Sequence, residues 1–421
     1  MIKHKTSDVF GISRELPLNY VTRPSADDFL VNNLTRDKHI VIYGSSKQGK
    51  TSLRKHCLAD NDYIVVHCSN KWSLSDIHTA ILKKAGYEVV QANTKTVSGK
   101  SKILATMKLA FFGNEAGGGA EAERGHSDEI KKAPLELDPE DVNDIITALQ
   151  SLNKYIVLED FHYLTPEAQT DFAVALKAFH EESKLCFIIV GVWLEENRLT
   201  VYNGDLTGRV VSVDADKWQE SELLQVITSG EELLNIQFDT TFKEDLLKCS
   251  FDSVYIIQES CFQCCEQENI NFTQETNCVI GQGASAKDIV NAVVNQQTGR
   301  YNSFITQFAS GFQETVLQMH KWLLYPVLMS DSLHLEDGLK WTELRNTLQK
   351  VHPTGKNLNL GNLTQALQSC AALQVKKEIK PIILDYDTTN VRLNVVDRGF
   401  INWLANQDKQ SLLDLAGISS E

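Results

Sequence analysis

The chain has 421 residues, 42% hydrophobic and 23% charged, which is room for two or three domains with a sizeable core. Its net charge of −14 argues against a surface that wraps nucleic acid throughout. The nine cysteines lack an extracellular spacing, Met1-Ile2-Lys3-His4 carries no apolar signal core, and the apolar block 322–329 is too short to span a bilayer, so the expectation is a reduced, cytoplasmic chain without membrane contact.

Residues 1–37 form a lead-in, with apolar positions at helical spacing over 25–34. The run 38–43 reads as a buried strand, and 52–58 as the start of a helix. Between them stands Gly44-Ser45-Ser46-Lys47-Gln48-Gly49-Lys50-Thr51, a G-x-x-x-x-G-K-T loop. Strand, glycine loop and helix is the order in which this motif cradles phosphates. The glycines let backbone N–H groups turn toward an anion, and the helix N-terminus adds partial positive charge. In that reading residues 44–52 bind the phosphates, Lys50 reaches the outer ones, and the Thr51 hydroxyl ligates magnesium.

A second strand is expected over 63–68 and a helix over 72–85, capped by Ser73 or Ser75. Residues 88–137 break the pattern as an insertion containing Gly117-Gly118-Gly119. Its apolar piece, 103–112, is either a small helix packing on its own domain or a contact surface for another protein. Order resumes with a helix over 139–149, Asp138 as its N-cap and Pro139 in its first position. A strand over 155–160 follows, then a helix over 166–181 and a strand over 185–192. Near-continuously apolar strands alternating with helices predict an α/β fold with a parallel sheet covered on both faces.

The strand ending in Glu159 and Asp160 delivers two carboxylates to its C-terminal edge, where ligands sit in open α/β sheets. One acid would hold magnesium and the other would orient water; the reading leans to Glu159 for the metal and Asp160 for the water. After the strand 185–192 no Asn, Ser or Thr stands directly at the end, and Asn197 or Arg198 would either sense phosphate one turn later or simply begin a solvated helix. Arg209, just before the short strand 210–213, is either a charge-neutralising arginine for a neighbouring subunit's phosphate or a partner in a structural ion pair. Cys261, Cys264 and Cys265 read as a buried helix using cysteine as a small apolar residue.

Taken together, these motifs resemble the AAA+ and STAND class of P-loop ATPases, in the branch of replication-initiator-like and transposition-helper ATPases, over roughly residues 10–275. The resemblance rests on residues 44–51, on the Glu159-Asp160 strand and on Leu206-Thr207-Gly208-Arg209. It implies ATP and Mg²⁺ as ligands, an ATPase core over 38–208, and a helical lid with its linker over 209–299. The lid of such proteins often carries an arginine that touches phosphate; Phe251-Asp252-Ser253-Val254-Tyr255-Ile256 has none, which favours a slow switch over a processive motor.

In the block 300–421, helices are expected over 304–329, 341–348 and 360–373, strands over 380–384 and 391–396 with a turn at 385–390, and a last helix over 398–405. Helices followed by a β-hairpin look like a winged helix. Such modules often place a helix in the DNA major groove, and here residues 356–398 hold Lys376, Lys377, Lys380 and Arg392 as a candidate stripe for phosphates. Yet residues 321–421 carry eleven basic and eleven acidic side chains. That balance favours a protein-facing role: an ATP-binding switch acting on a partner or on its own assembly. The alternatives are an ATP-regulated DNA-binding protein and a nucleotide-binding scaffold with little turnover.

Overall fold

The computed structural model describes residues 2–12, 15–95, 101–107, 135–313, 315–355 and 358–418. The strands of the first half are β1 (His39–Tyr43), β2 (Tyr63–His67), β3 (Tyr87–Lys95), β4 (Ser101–Met107), β5 (Leu135–Leu137), β6 (Tyr155–Glu159), β7 (Phe187–Val190) and β8 (Val210–Asp214). Five of them form an all-parallel sheet in the order β2-β6-β7-β1-β8. Side chains alternate between two buried faces, as the period of a strand requires. Ile40 and Ile42 join one core with Leu53 of the helix Lys50–Cys57, while Val41 and Tyr43 join the other with Ile81 and Phe172. The second face is covered by the helices Leu74–Lys84, Val142–Leu149 and Pro166–Glu182. Full burial of each such side chain is worth about 1.5–3 kcal/mol, which makes the sheet a firm platform for its loops.

Local signals decide most boundaries. Ser73 caps the helix Leu74–Lys84 in a reciprocal box with Asp76. The helix expected from residue 139 instead begins at Val142, with Asp141 as its cap. Pro139 belongs to the preceding turn, its carbonyl held by the buried His78 ring at 2.8 Å. The insertion differs more. Residues 103–107 are not helical: they lie in β4, antiparallel to β3 and β5 in a separate three-stranded sheet. Residues 108–112 and the triple glycine lie outside the described residues.

The segment expected as a lid holds the helices Glu220–Leu234, Thr240–Cys249 and Val254–Gln267, with a parallel pair β9 (Ile236–Phe238) and β10 (Cys278–Ile280). Cys261, Cys264 and Cys265 are buried in this helical core, among apolar neighbours. The start of the chain packs here too: the Thr6 N–H donates to the Asn271 carbonyl at 3.0 Å, and the Phe10 ring takes the space that a side chain at Gly230 would need. Residues 281–299, polar by composition, hold the helix Ala286–Asn295, which buries Ile289, Val290, Val293 and Val294.

The last third contains the helices Thr298–Ala309, Met319–Met329, Ser332–Asp337, Trp341–Val351, Leu360–Gln368 and Cys370–Lys376. With them come β11 (Leu339–Lys340), β12 (Leu384–Asp387) and β13 (Arg392–Val395), then the helices Arg398–Ala405 and Lys409–Leu415. The three strands pair antiparallel in the order β11-β13-β12, with three helices between β11 and β12 and the hairpin β12–β13 after them. The hairpin is displaced from expectation: Asp385 and Asp387 are strand residues, and the turn falls at Thr388–Val391. Lid and C-terminal block share one continuous apolar core.

Candidate functional site

The glycine loop leaves the C-terminal end of β1. Gly44 (φ 143°) and Gly49 (φ 82°) take left-handed backbone that a side chain would strain. A Cβ on Gly44 would also lie 2.9 Å from the Asp216 nitrogen. Lys50, 8% exposed, curls back over the loop and donates to the carbonyls of Gly44 at 2.9 Å and Ser45 at 2.5 Å. Burial pushes its ammonium down to about 8, against the pull of Asp216, Glu159 and Asp160, so it remains charged at neutral pH. Above it opens a cavity of about 380 Å³ walled by the loop, the chain start at Ile12, Pro17 and Tyr20, the acids at the end of β6 and the helix that carries Tyr255. Lys47 at its rim stands 3.8 Å from the centre of the Tyr255 ring.

Glu159 and Asp160 reach this cavity from β6, the next strand but one from β1, with β7 between them. Their environments differ. Glu159 is buried and its Oε1 accepts from Arg54 Nε at 2.9 Å, so the helix that carries Lys50 also holds this acid. Asp160 is left-handed (φ 60°), a costly conformation outside glycine, and its half-exposed carboxylate stands 3.5 Å from His67. His162 follows in the turn Phe161–Tyr163 and lines the same cavity, although no sequence motif singles it out. Burial, then the charges of Lys50, Arg198 and Lys380, hold its imidazole well below the usual range and therefore neutral.

Arg198, expected either to sense phosphate or to begin a solvated helix, and Arg209, expected either at a neighbouring subunit's phosphate or in a structural ion pair, both pair with acids of this chain. Arg198 makes a paired contact with Asp385 on β12, Nη1–Oδ2 and Nη2–Oδ1 both 3.0 Å, and its guanidinium stands 5.2 Å from the Trp193 ring. Burial opposes its charge, but Asp385 more than offsets that and raises its pKa. It is therefore a clamp between the sheet domain and the hairpin. Arg209 precedes β8, beside the start of β1, where the His39 N–H donates to its carbonyl. That is the sheet edge opposite the glycine loop, about 13 Å away along four strand residues. Its guanidinium pairs with Glu181 at 2.6 Å, the structural ion pair, and cannot reach this chain's own cavity.

No family model matches the sequence, and no curated protein matches it. Among solved structures, a Walker-type ATPase of Pyrococcus abyssi superposes with a TM-score of 0.50 at 10% identity, over 94% of this chain and 99% of that one. The fold is that of a Walker-type ATPase. The ORC2 protein of Aeropyrum pernix, in complexes with ADPNP and ADP, gives 0.46 at 13% identity over 97% and 96% of the two chains. The ORC1 protein of the same organism, in complex with DNA, gives 0.44 at 9% identity over 99% and 96%. At those scores the last two carry no argument about this chain.

In this ATPase fold the back of the glycine loop is joined to the C-terminal block. Asp216, two residues beyond β8, accepts from the Ser45 N–H at 2.7 Å through Oδ1 and from Arg398 Nη2 at 2.7 Å through Oδ2. Burial works against its ionisation, but Arg398 and the Ser45 N–H outweigh it and hold the carboxyl below the usual range. Arg398 also donates to the Phe251 carbonyl of the lid at 2.9 Å. The Ser46 N–H donates to the Val396 carbonyl at 2.8 Å. Gln48 donates to the Asp252 carbonyl and accepts from the Val254 N–H, tying the loop to the lid as well. At the hairpin tip, buried Glu195 accepts from the Thr388 hydroxyl, the Thr389 hydroxyl and the Thr389 N–H at 3.1, 2.7 and 3.2 Å. Sequence reasoning missed Asp216 and His162, yet both follow the C-terminal ends of parallel strands, the same signal that marked Glu159 and Asp160.

The basic residues proposed as a phosphate stripe have partners of their own. Arg392 donates to the carbonyls of Asp337 and Gly338, Lys377 to the Ser310 hydroxyl at 3.0 Å, and Lys380 stands 4.4 Å from the Tyr163 ring. Lys376 stands 5.2 Å from the Phe312 ring.

Proposed function

We propose that the chain is an ATP-binding switch protein that hydrolyses ATP slowly and uses the bound state to control how its C-terminal winged helix docks. One observation carries this reading: the loop that holds Lys50 also donates Ser45 N–H to the Asp216–Arg398 pair and Ser46 N–H to Val396, so a shift on its cavity side is felt at the seam. A glycine-lined cradle, a buried ammonium and an exposed Thr51 fit a magnesium triphosphate. When bound, Mg²⁺ would be held by the Thr51 hydroxyl and a carboxylate of the Glu159–Asp160 pair, and it neutralises charge on the phosphate oxygens.

In this reading residues 44–52 supply the N–H donors and Lys50 the countercharge to the outer phosphates. Asp160, with its carboxylate open to the cavity, takes a proton from water as that water adds to the γ-phosphorus. The bond to the bridging oxygen breaks, and ADP leaves with inorganic phosphate. Turnover is slow because residues 251–256 bring no arginine and Arg209 is turned to Glu181. Any help from Arg209 comes from a second copy or a partner. The preference for ATP over GTP is taken from the resemblance to ATPases, and a cytoplasmic setting from the cysteine spacing in the sequence.

Titration calorimetry tests the reading. Wild type takes up Mg-ATP, and Lys50→Ala loses at least about 100-fold in affinity, the loss of a buried charge-assisted contact to phosphate. Unchanged binding by the variant would sink it. The alternative of ATP-controlled DNA binding predicts a salt-dependent affinity that collapses when Lys376, Lys377 and Lys380 become Glu. A gel shift with and without ATP on duplex DNA separates the two readings.

A further inference from the structure

We infer that His162 is the residue that distinguishes a triphosphate from a diphosphate in this site, by donating its ring N–H to the terminal phosphate. The inference rests on the nucleotide reading above and deepens it.

Three observations converge on this side chain. His162 is 5% exposed, and neither ring nitrogen has a hydrogen-bond partner among the described residues. A buried imidazole keeps one donor and one acceptor, and leaving both empty is costly unless something else fills them. The residue lines the cavity that also holds Lys50 and Asp160, the space assigned to phosphate, and its two nitrogens, closed to solvent as the ring now stands, reach a ligand there by a turn of the ring. By contrast, the other buried histidines beside the sheet keep at least one partner: His39 has both nitrogens paired, with the Leu176 carbonyl and the Phe187 N–H, and His78 pairs Nδ1 with the Pro139 carbonyl and leaves only Nε2 open.

The end of β7 and the lid bring no charged side chain to this space. β7 ends next to the cavity at Gly191, and the Trp193 ring fills the volume that any side chain at Gly191 would occupy. Trp193 is itself fixed, edge-on to Phe161 and under the Arg198 guanidinium. No polar side chain can stand at the end of β7, and Val192 beyond it is apolar. The lid contributes Val226, Val254, Tyr255 and Gln258, with no arginine, and the one arginine on the wall, Arg23 of the chain start, is held by the Ala215 carbonyl and the Trp218 ring. A third phosphate entering the cavity therefore meets both Lys50 and His162, while a diphosphate leaves the imidazole as empty as it stands now.

The test compares Kd values for Mg-ADP and for a non-hydrolysable Mg-ATP analogue in wild type, His162→Phe and His162→Asn. Phe keeps the ring packed against Tyr163 and removes the donor; Asn keeps a donor. His162→Phe is expected to lose about tenfold for the triphosphate and less than about twofold for ADP, with His162→Asn recovering most of the difference. Equal Kd ratios in wild type and His162→Phe overturn the assignment. So does a loss of the same size for both nucleotides, which marks a merely structural role. Wild type that binds neither nucleotide overturns the nucleotide reading itself, and this outcome is distinct from the other two. In the wild type, the ¹⁵N resonance of the His162 ring should shift with the triphosphate analogue and stay in place with ADP. A ring signal identical in both states also counts against it.

Discussion

The glycine loop has two faces, and they are built on opposite rules. On the cavity side, His162 is left without partners among the described residues, and the Lys50 ammonium is balanced only by two carbonyls and the field of nearby acids. On the C-terminal side, the buried charges find partners: Asp216 with Arg398, Arg198 with Asp385, Glu195 with the hairpin hydroxyls. The first arrangement suits a ligand that arrives and leaves. The second suits a contact made within one chain. A buried ion pair adds little net stability, since desolvation consumes most of the Coulomb gain, but removing one partner is expensive. The seam is thus close to all-or-none, the property a two-state element needs.

The largest test of that contrast is Arg198→Ala. It strands the Asp385 carboxylate, 1% exposed, inside the hairpin. Urea unfolding should show a loss of about 3–5 kcal/mol, while Arg198→Met with Asp385→Leu should recover most of it. A loss under about 1 kcal/mol would mean that the clamp is not closed in solution.

Acid separates the sheet domain from the seam. Burial pushes His39, inside β1, down to about 4, against an ordinary value of 6.5. Between those two values the unfolded chain binds a proton that the folded chain refuses. Stability therefore falls as pH drops from 6.5 toward 4, by about 3 kcal/mol for this residue, and it is fully present above pH 6.5. Asp216 responds in a lower window, because its carboxyl lies below the usual range. Comparing urea midpoints of wild type and His39→Gln from about pH 4 to about pH 7 isolates the histidine contribution. Parallel profiles would refute it.

How legible each face was in the sequence follows the same division. The cavity side is local: Gly44 to Thr51, the strand before it and the helix after it are contiguous, and the expected strands 63–68, 155–160 and 185–192 overrun β2, β6 and β7 by no more than two residues at either end. The strand carrying Glu159 and Asp160 was equally plain. The seam is not local. Asp385 and Asp387 read as a turn because carboxylates rarely enter a buried strand, and what admits Asp385 is Arg198, 187 residues away in sequence. The strand β4 was masked in a similar way. Its run of Ile103, Leu104 and Ala105 has no period of its own to tell strand from helix, and pairing with β3 and β5 on both sides decided it. Arg398 was read as the first residue of a helix, correctly, but its reach to Asp216 spans 182 residues and leaves no mark in spacing. Periodicity finds elements, and strand ends find candidate ligands, whereas contacts between distant segments are set by the packing of elements whose positions no local pattern encodes.

The smallest expected effect, and the sharpest question about assembly, belongs to Arg209. Its pair with Glu181 is part-exposed, 30% and 41% for the two side chains, so screening by water limits its worth. Arg209→Ala should cost no more than about 1 kcal/mol in urea unfolding. Within one chain it should leave nucleotide affinity unchanged, because the residue stands at the sheet edge opposite Lys50. The informative measurement is therefore ATP turnover as a function of protein concentration. If wild-type turnover per chain rises with concentration and Arg209→Ala turnover stays flat, the arginine leaves Glu181 to serve a neighbouring cavity, and a third, intermolecular face joins the two described above. If both proteins turn over alike at every concentration, Arg209 is a surface ion pair and nothing more, and the switch operates within a single chain.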